Sequence, residues 1–173
     1  LEKKGFKELI KEAEEGIRLL SDHKPLRFRL AKIEVLVGSV KINLPPMLIS
    51  IYALFAEEKI KYCREKKRDL CLECNECYLK VADLSDRKTL QRIKSFYASL
   101  YGEESMRLYD ERWNLYYKKG GLPQDTIRQY ISKINRAIRE YVSDYELYEI
   151  RGVRQYGATR YGLKVDKTRI EMI

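Results

Sequence analysis

The chain has 173 residues, of which 45% are hydrophobic and 35% are charged, and its formal net charge is +9. This length suits one ordinary domain with a hydrophobic core, and the composition excludes a disordered chain. The longest apolar stretch, residues 44–56, contains Pro45, Pro46 and Ser50 and is too short to cross a bilayer. Because no signal peptide opens the sequence, we expect a cytoplasmic protein without a membrane span. The positive charge suits a polyanionic partner, although many basic proteins of thermophiles bind no nucleic acid.

The amino-acid composition indicates the kind of organism that the protein comes from, and the first residue indicates whether the chain is a whole protein. Leu, Lys, Arg, Glu, Ile and Tyr dominate, with 14 tyrosines, whereas Asn and Gln are scarce. High temperature favours this bias, because ion-pair networks gain value and amide side chains degrade, so we expect a hyperthermophilic, archaeal-type source. Since the chain opens with Leu and not with Met, we also expect it to be a piece of a longer protein.

In chain order, the first part of the sequence predicts a helix, a hairpin and a second helix. Apolar residues at helical spacing predict an amphipathic helix over residues 2–20. Near-alternating apolar residues over 26–44, with Gly38 near the middle, favour a two-stranded hairpin. Pro45 and Pro46 then open the next helix, since proline is favoured at a helix start.

The remaining elements follow a stretch that we interpret as an insertion. Residues 59–104 hold a basic and then cysteine-rich segment, followed by a helix over about 85–100. A short aromatic helix comes next, and a longer helix is predicted over 124–142. Glycines at strand-like spacing predict a two-stranded hairpin over 148–165.

The helix predicted over 124–142 has two chemically distinct sides. Isoleucines recur on one side at helical spacing. The opposite side carries residue types that contact nucleic acid, because Arg pairs with guanine or phosphate, Asn pairs with adenine and Ser holds phosphate. In the hairpin that follows, Arg151, Arg154 and Arg160 are placed to lie along a flanking backbone. The candidate nucleic-acid-binding residues are therefore Arg128, Ser132, Asn135, Arg136, Arg139, Arg154 and Arg160.

The same polar side has a plainer interpretation. Exposed arginines are ordinary surface residues in a thermophile, and similar domains often serve as dimer contacts. The alternative function is a dimerisation or interaction module that forms a homodimer without contacting nucleic acid. The same arginines fit both functions, so the sequence leaves both open.

The order of these elements resembles known winged-helix domains. The residues that carry the likeness are the proline-started helix at 44–46, the run 131–136, the segment 151–157 and the closing 160–163. They look like the winged helix of response regulators, which has a leading sheet, a basic recognition helix and a glycine–tyrosine wing. They resemble still more closely the C-terminal region of a CRISPR-associated family. That family joins a Rossmann-like sensor of cyclic oligoadenylate, with ring-nuclease members, to a helical winged-helix tail.

The resemblance implies a fold, a domain layout and a function. The fold class is mainly α with a small β part (α+β): a winged helix-turn-helix core with a leading β-hairpin, a helical and Cys-rich insertion at about 59–104, and a C-terminal wing. Residues 1–25 are then a helix and linker from a missing upstream domain, and residues 26–173 are the winged-helix domain. The implied function is nucleic-acid binding or regulation in an antiviral CRISPR-associated sensor. The long insertion departs from the response-regulator pattern and puts a standard docking pose in doubt.

All four cysteines of the chain fall within fifteen residues, as C-x7-C-x2-C-x2-C. Thiolates two residues apart can converge on one cation, and four of them satisfy a tetrahedral zinc ion. Two disulfides, or free thiols without any cofactor, are one alternative, and iron–sulfur ligation is another. In each case the role is structural. The candidate metal ligands are Cys63, Cys71, Cys74 and Cys77.

No catalytic constellation is visible in the sequence. His23 is the only histidine, so a catalytic arrangement that needs a second histidine is excluded, and no glycine-rich phosphate loop is present. Whether the whole protein is an enzyme stays open, because any nuclease activity would reside in an upstream sensor domain of the same chain.

Overall fold

The computed structural model describes residues 5–64, 71, 74–102, 106 and 110–173, which form an α+β fold of helices and two small sheets. The helices are α1 (Phe6–Asp22), α2 (Pro46–Lys61), α3 (Val81–Leu84), α4 (Arg87–Tyr101), α5 (Asp110–Lys118) and α6 (Gln124–Tyr141). The strands are β1 (Leu26–Arg29), β2 (Glu34–Val37), β3 (Val40–Ile42), β4 (Leu79–Lys80), β5 (Ile150–Gln155), β6 (Ala158–Leu163) and β7 (Ile170–Met172).

The first sheet has the strand order β3-β2-β1-β7. Alternating apolar residues of β1, β2 and β3 are buried on one face, as period-two patterning requires. Residues 26–44 hold three strands, so the predicted two-stranded hairpin was wrong in strand number. The extra reversal comes from a 3-10 turn over Leu30–Lys32, after which Ile33 adopts the left-handed conformation at φ 54°. Strand β7 pairs parallel with β1 and brings the C-terminal residues to this sheet.

Helix α2 occupies the centre of the fold. Pro46 stands at its first position, where the missing N–H costs no intrahelical bond. Every residue from Leu48 to Ala56 is buried, which is the pattern of a helix enclosed on all sides. It packs against α4, α6 and β6, so it joins both halves of the chain into one core.

Helix α4 confirms the prediction of a helix over 85–100. Its first turn is capped by Asp86, whose Oδ1 accepts a hydrogen bond from the Thr89 backbone N–H at 2.6 Å. Its buried residues Leu90 and Ile93 belong to the same hydrophobic core as α2. Trp113 of α5 is 1% exposed and completes this side of the core.

Helix α6 and the C-terminal hairpin confirm the corresponding predictions from sequence. The helix is continuous, and its isoleucines face the core. Strands β5 and β6 pair antiparallel, and β4 pairs with β6 to complete the second sheet. The hairpin turns at Tyr156 and Gly157, which both have positive φ, the signature of the tight turn that matches strand twist.

The first part of helix α1 lies outside the core. All side chains from Phe6 to Glu15 are exposed, including the apolar Phe6, Leu9 and Ile10. Over the described part of the chain, no helix combines the length and the apolar character needed to cross a membrane.

Candidate nucleic-acid interface and cysteine cluster

An open groove of about 680 Å³ runs between α6 and strand β5. The isoleucine side of α6 packs on the core, and β5 is an edge strand of its sheet. The free edge of β5 therefore lies beside the helix. Five of the seven predicted nucleic-acid-binding residues line this groove, and Arg151 and Tyr161 join them from the hairpin. The complete lining is Arg128, Ile131, Ser132, Asn135, Arg136, Arg139, Glu149, Ile150, Arg151, Gly152 and Tyr161.

Asn135 closes one end of the groove by acting as a substitute strand partner. Its Nδ2 donates to the Ile150 carbonyl oxygen at 2.8 Å, and its Oδ1 accepts from the Ile150 N–H at 2.7 Å. Ile150 is 2% exposed, so these are the bonds that satisfy the outer edge of β5 at this point. The amide is therefore occupied on both sides. Asn135 lies at the predicted site, but its geometry corrects the expectation that this side chain is available to pair with adenine.

The arginines of the groove differ in their partners. Arg128 forms an exposed ion pair with Asp125 at 2.9 Å. Arg139 contacts Glu149 at 2.8 Å and also lies over the Tyr145 ring. Arg136 is exposed and has no hydrogen-bond or ion-pair partner within the described ranges.

The groove has a positive balance that a polyanion would complement. Four arginines and one glutamate line it, which leaves a net charge of +3. Ser132 adds an exposed hydroxyl. Gly152 lies opposite Tyr161 in the ladder, and a Cβ there would lie 3.1 Å from Cε1 of that ring. The glycine thus lets the tyrosine ring lie flat at the groove wall.

Arg154 and Arg160 do not belong to this groove. Arg154 pairs with Thr159 and Arg160 with Val153, so the two arginines point to opposite faces of the hairpin. Arg160 instead stacks over the Tyr156 ring and lines a second cavity beside Cys77. The predicted single surface of α6 and both hairpin arginines is corrected in this respect. Side chains alternate between the two faces along a strand, and this rule, applied with the register of the hairpin, could have shown that Arg154 and Arg160 lie on opposite faces.

The four cysteines gather behind the hairpin and are all free thiols. Cys63 follows the end of α2, and Cys71, Cys74 and Cys77 lie in the next turn segment. Cys63, Cys71 and Cys74 are buried, and Cys77 is half-buried. The Cys74 N–H donates to the Cys71 carbonyl at 3.2 Å, so the backbones of these two cysteines are in direct contact.

The Cys71 backbone and sulfur are held by the segment that follows β6. Asp166 is fully buried, and its Oδ2 accepts from the Cys71 N–H at 2.9 Å. The Lys167 N–H donates to the Cys71 Sγ at 3.3 Å. Burial would raise the pKa of Asp166, but hydrogen bonds from Thr168 and from the Cys71 backbone hold that pKa below its ordinary value.

The thiols influence one another electrostatically. Burial, with smaller contributions from negative charge on Cys63, Cys71 and Cys74, raises the pKa of Cys77 to about 11 against the lowering effect of Lys59. Burial also raises the pKa of Cys71. Within the described ranges, no group of three or more His, Cys, Asp or Glu side chains is already closed around a point that could hold a metal ion.

A buried lysine borders the cluster. Lys59 is 1% exposed, and its Nζ donates to the Leu163 carbonyl at 2.5 Å. Its positive charge interacts with both Cys71 and Cys77. On the outer side, Tyr78 packs so closely on β6 that a Cβ at Gly162 would meet its ring at 2.2 Å. The cluster therefore lies between the end of α2 and the hairpin. Sequence reasoning missed Lys59, because nothing in the pattern of α2 separates a buried lysine from a surface one.

The chemistry of the groove is that of binding. Guanidinium groups and a hydroxyl suit phosphate oxygens, and the single histidine of the sequence, His23, lies outside the groove lining. The comparisons of the chain with family models, with curated proteins and with solved structures gave no match.

Proposed function

We propose that this chain is a winged-helix domain that binds nucleic acid through the groove between α6 and the C-terminal hairpin. The observation that carries the proposal is the groove lining itself. Three arginines of α6 and Arg151 of β5 line one concave surface, and Arg136 is exposed without an intramolecular partner in the described ranges. A helix followed by a hairpin with a positive cleft between them suits a phosphate backbone.

The roles within the groove follow from the partners of each residue. Arg136 and Ser132 contact phosphate oxygens, and Arg128 joins them, since its exposed pair with Asp125 is weak and yields to a phosphate. Arg139 is held by Glu149 and orients the hairpin. Because Asn135 is occupied, we propose backbone contacts with little reading of adenine.

The resemblance to the CRISPR-associated family supports the wider context of the proposal. In that context the domain is the regulatory tail of a cytoplasmic antiviral sensor from a thermophilic archaeon, and the sensor domain lies upstream in the same chain. The full-length reading frame tests this part. A Rossmann-like domain upstream supports it, and an unrelated domain there overturns it.

The binding experiment compares two single-charge changes on the same helix. Fluorescence anisotropy of a labelled duplex is measured at several salt concentrations with Arg136→Ala and with Lys133→Ala, whose exposed side chain lies outside the groove. We expect Arg136→Ala to weaken binding and to lower the salt slope by about 0.9 for one lost phosphate contact. Lys133→Ala should change both quantities much less. Equal effects of the two changes, or binding that does not depend on salt, would contradict the groove as the interface.

A second candidate function, homodimer formation, is favoured by the exposed side of α1. Phe6 is 78%, Leu9 52%, Ile10 43% and Ile17 64% exposed, on a helix whose apolar residues share one stripe. Contiguous exposed apolar surface marks an interaction site. We propose a second copy of the chain as the occupant.

In the first half of α1, Lys7 and Lys11 are each followed by a glutamate, so like-charge repulsion there does not oppose a second copy of the helix. Sedimentation equilibrium tests this with Ile10→Gln and with the control Glu15→Gln on the opposite side of the helix. We expect Ile10→Gln to weaken the dimer at least about tenfold, since apolar burial is lost in both copies. A wild-type chain that stays monomeric overturns this candidate and assigns the stripe to another segment or protein.

A further inference from the structure

Four features of the cysteine cluster point to a ligand that the thiols share. The side chains are free, three of them are buried, and all four come from one short stretch of chain. Ordinary buried cysteines act as scattered small apolar residues and need no common location. Here Cys77 lies within electrostatic range of each of the other three.

The backbone around Cys71 is arranged to stabilise negative charge on sulfur. Cys71 and Cys74, which are joined by a backbone hydrogen bond, have the two-residue spacing of metal knuckles. The Lys167 N–H points at the Cys71 Sγ, and N–H donors of this kind orient a ligand and stabilise thiolate charge. Asp166 holds the Cys71 backbone N–H from a fully buried position.

Lys59 supplies an independent observation. A buried ammonium group is costly unless an opposite charge lies nearby. Lys59 has a carbonyl oxygen as hydrogen-bond acceptor but no carboxylate ion-pair partner among the residues described. A divalent cation held by four thiolates carries a net charge of −2, and such a centre beside Lys59 provides a counter-charge in addition to the buried Asp166 carboxylate, which acts on the same Cys71.

We propose that Cys63, Cys71, Cys74 and Cys77 bind one zinc ion as thiolates, and that Lys59 offsets the charge of this centre from within the core. Four soft sulfur donors select zinc over magnesium or calcium. Among the described residues these side chains are not closed around one point, so binding requires the sulfurs to turn toward a common ion by rotation about their Cα–Cβ bonds. The site joins the end of α2 to β6 through the Lys59 contact with Leu163, so its role is to fix the hairpin to the core. This inference does not rest on nucleic-acid binding.

Metal analysis of the whole purified chain is the first test. Protein prepared under reducing conditions is analysed for zinc and iron, and its thiols are counted after unfolding. We expect about one zinc per chain and four free thiols after the metal is removed. Stoichiometric iron, two disulfides, or four free thiols without any metal would each overturn the proposal.

Variants locate the metal and test the role of Lys59. Cys74→Ser should lose zinc, whereas Glu76→Gln, a neutralised carboxylate in the same turn, should retain it. If Cys74→Ser fails to fold, the wild-type chain still decides, because chelation should lower its melting temperature and added zinc should restore it. Lys59→Met should lower zinc affinity about 10–100-fold in competition with a chromogenic chelator. Zinc bound equally by Cys74→Ser, or unchanged affinity in Lys59→Met, would refute the assignment of that residue.

Discussion

Replacing Asn135 with Ala removes the pair of hydrogen bonds that attaches the hairpin edge to α6. Each bond contributes about 0.5–1.5 kcal/mol net, and the buried Ile150 N–H and C=O have no ready access to water as a substitute. We therefore expect a loss of about 2–3 kcal/mol. For a chain of this size that corresponds to a fall in melting temperature of about 5–10 °C. Thermal unfolding followed by circular dichroism measures the fall, and amide hydrogen exchange at Ile150 should accelerate.

Ser132→Ala is the matched control, because Ser132 lies on the same side of α6 but is exposed. Its stability should stay within about 0.5 kcal/mol of wild type. If Asn135→Ala leaves the melting temperature unchanged and lowers only nucleic-acid affinity, the side chain serves as a contact to a base. That result would refute the structural role argued from the Asn135–Ile150 bonds.

Two further predictions concern regions outside the groove. Gly121→Ala should destabilise the fold by at least about 3 kcal/mol in urea unfolding, because its Cβ would lie 1.8 Å from the Ser85 carbonyl oxygen at φ 139°. The control Gly120→Ala has open space around its Cβ and should cost only about 1–2 kcal/mol of stability. Equal losses of stability in the two variants would contradict the clash. Burial would raise the pKa of Glu57, but Arg92 and Lys61 hold it below its ordinary value of 4.5, so the stability from this carboxylate is present above that pH and lost as the pH falls through the lower folded value. Glu57→Gln should accordingly flatten the acid limb of stability measured by urea unfolding, and an unaltered acid limb would contradict the ion pair.

The elements with strong local signals could be predicted from sequence. Helix α6 has an isoleucine stripe, and Pro123 immediately before Gln124 marks where the helix begins. The C-terminal hairpin has glycine at its turn and alternating side chains, so its two strands and its reversal followed from the pattern. The side of the groove that α6 contributes could be named for the same reason, because helical spacing alone places Arg128, Arg136 and Arg139 on one side.

The features that depend on distant pairings could not be predicted. Strand β7, near the C-terminus, pairs with β1, near the N-terminus. Nothing in the three-residue sequence of β7 indicates which strand it pairs with. The two hydrogen bonds between the Asn135 side chain and the Ile150 backbone depend on where β5 lies against α6, and helical periodicity does not specify that position. The separation of Arg154 from Arg160 required the register of the hairpin, and a shift of one residue would have reversed their faces.

Two polar attachments, one at each strand, help to fix the position of the hairpin. On β5, Asn135 binds the edge at Ile150, and on β6, Lys59 binds the carbonyl of Leu163, the residue paired with Ile150 in the ladder. Both attachments meet the base of the hairpin, whereas its tip at Tyr156 is 83% exposed and free of the core. A rigid base with a free tip lets the arginines near the base keep a fixed distance from α6. These two polar contacts thus hold the hairpin base, together with the buried side chains of Ile150 and Leu163, and each strand of that base receives a polar side chain from a different helix.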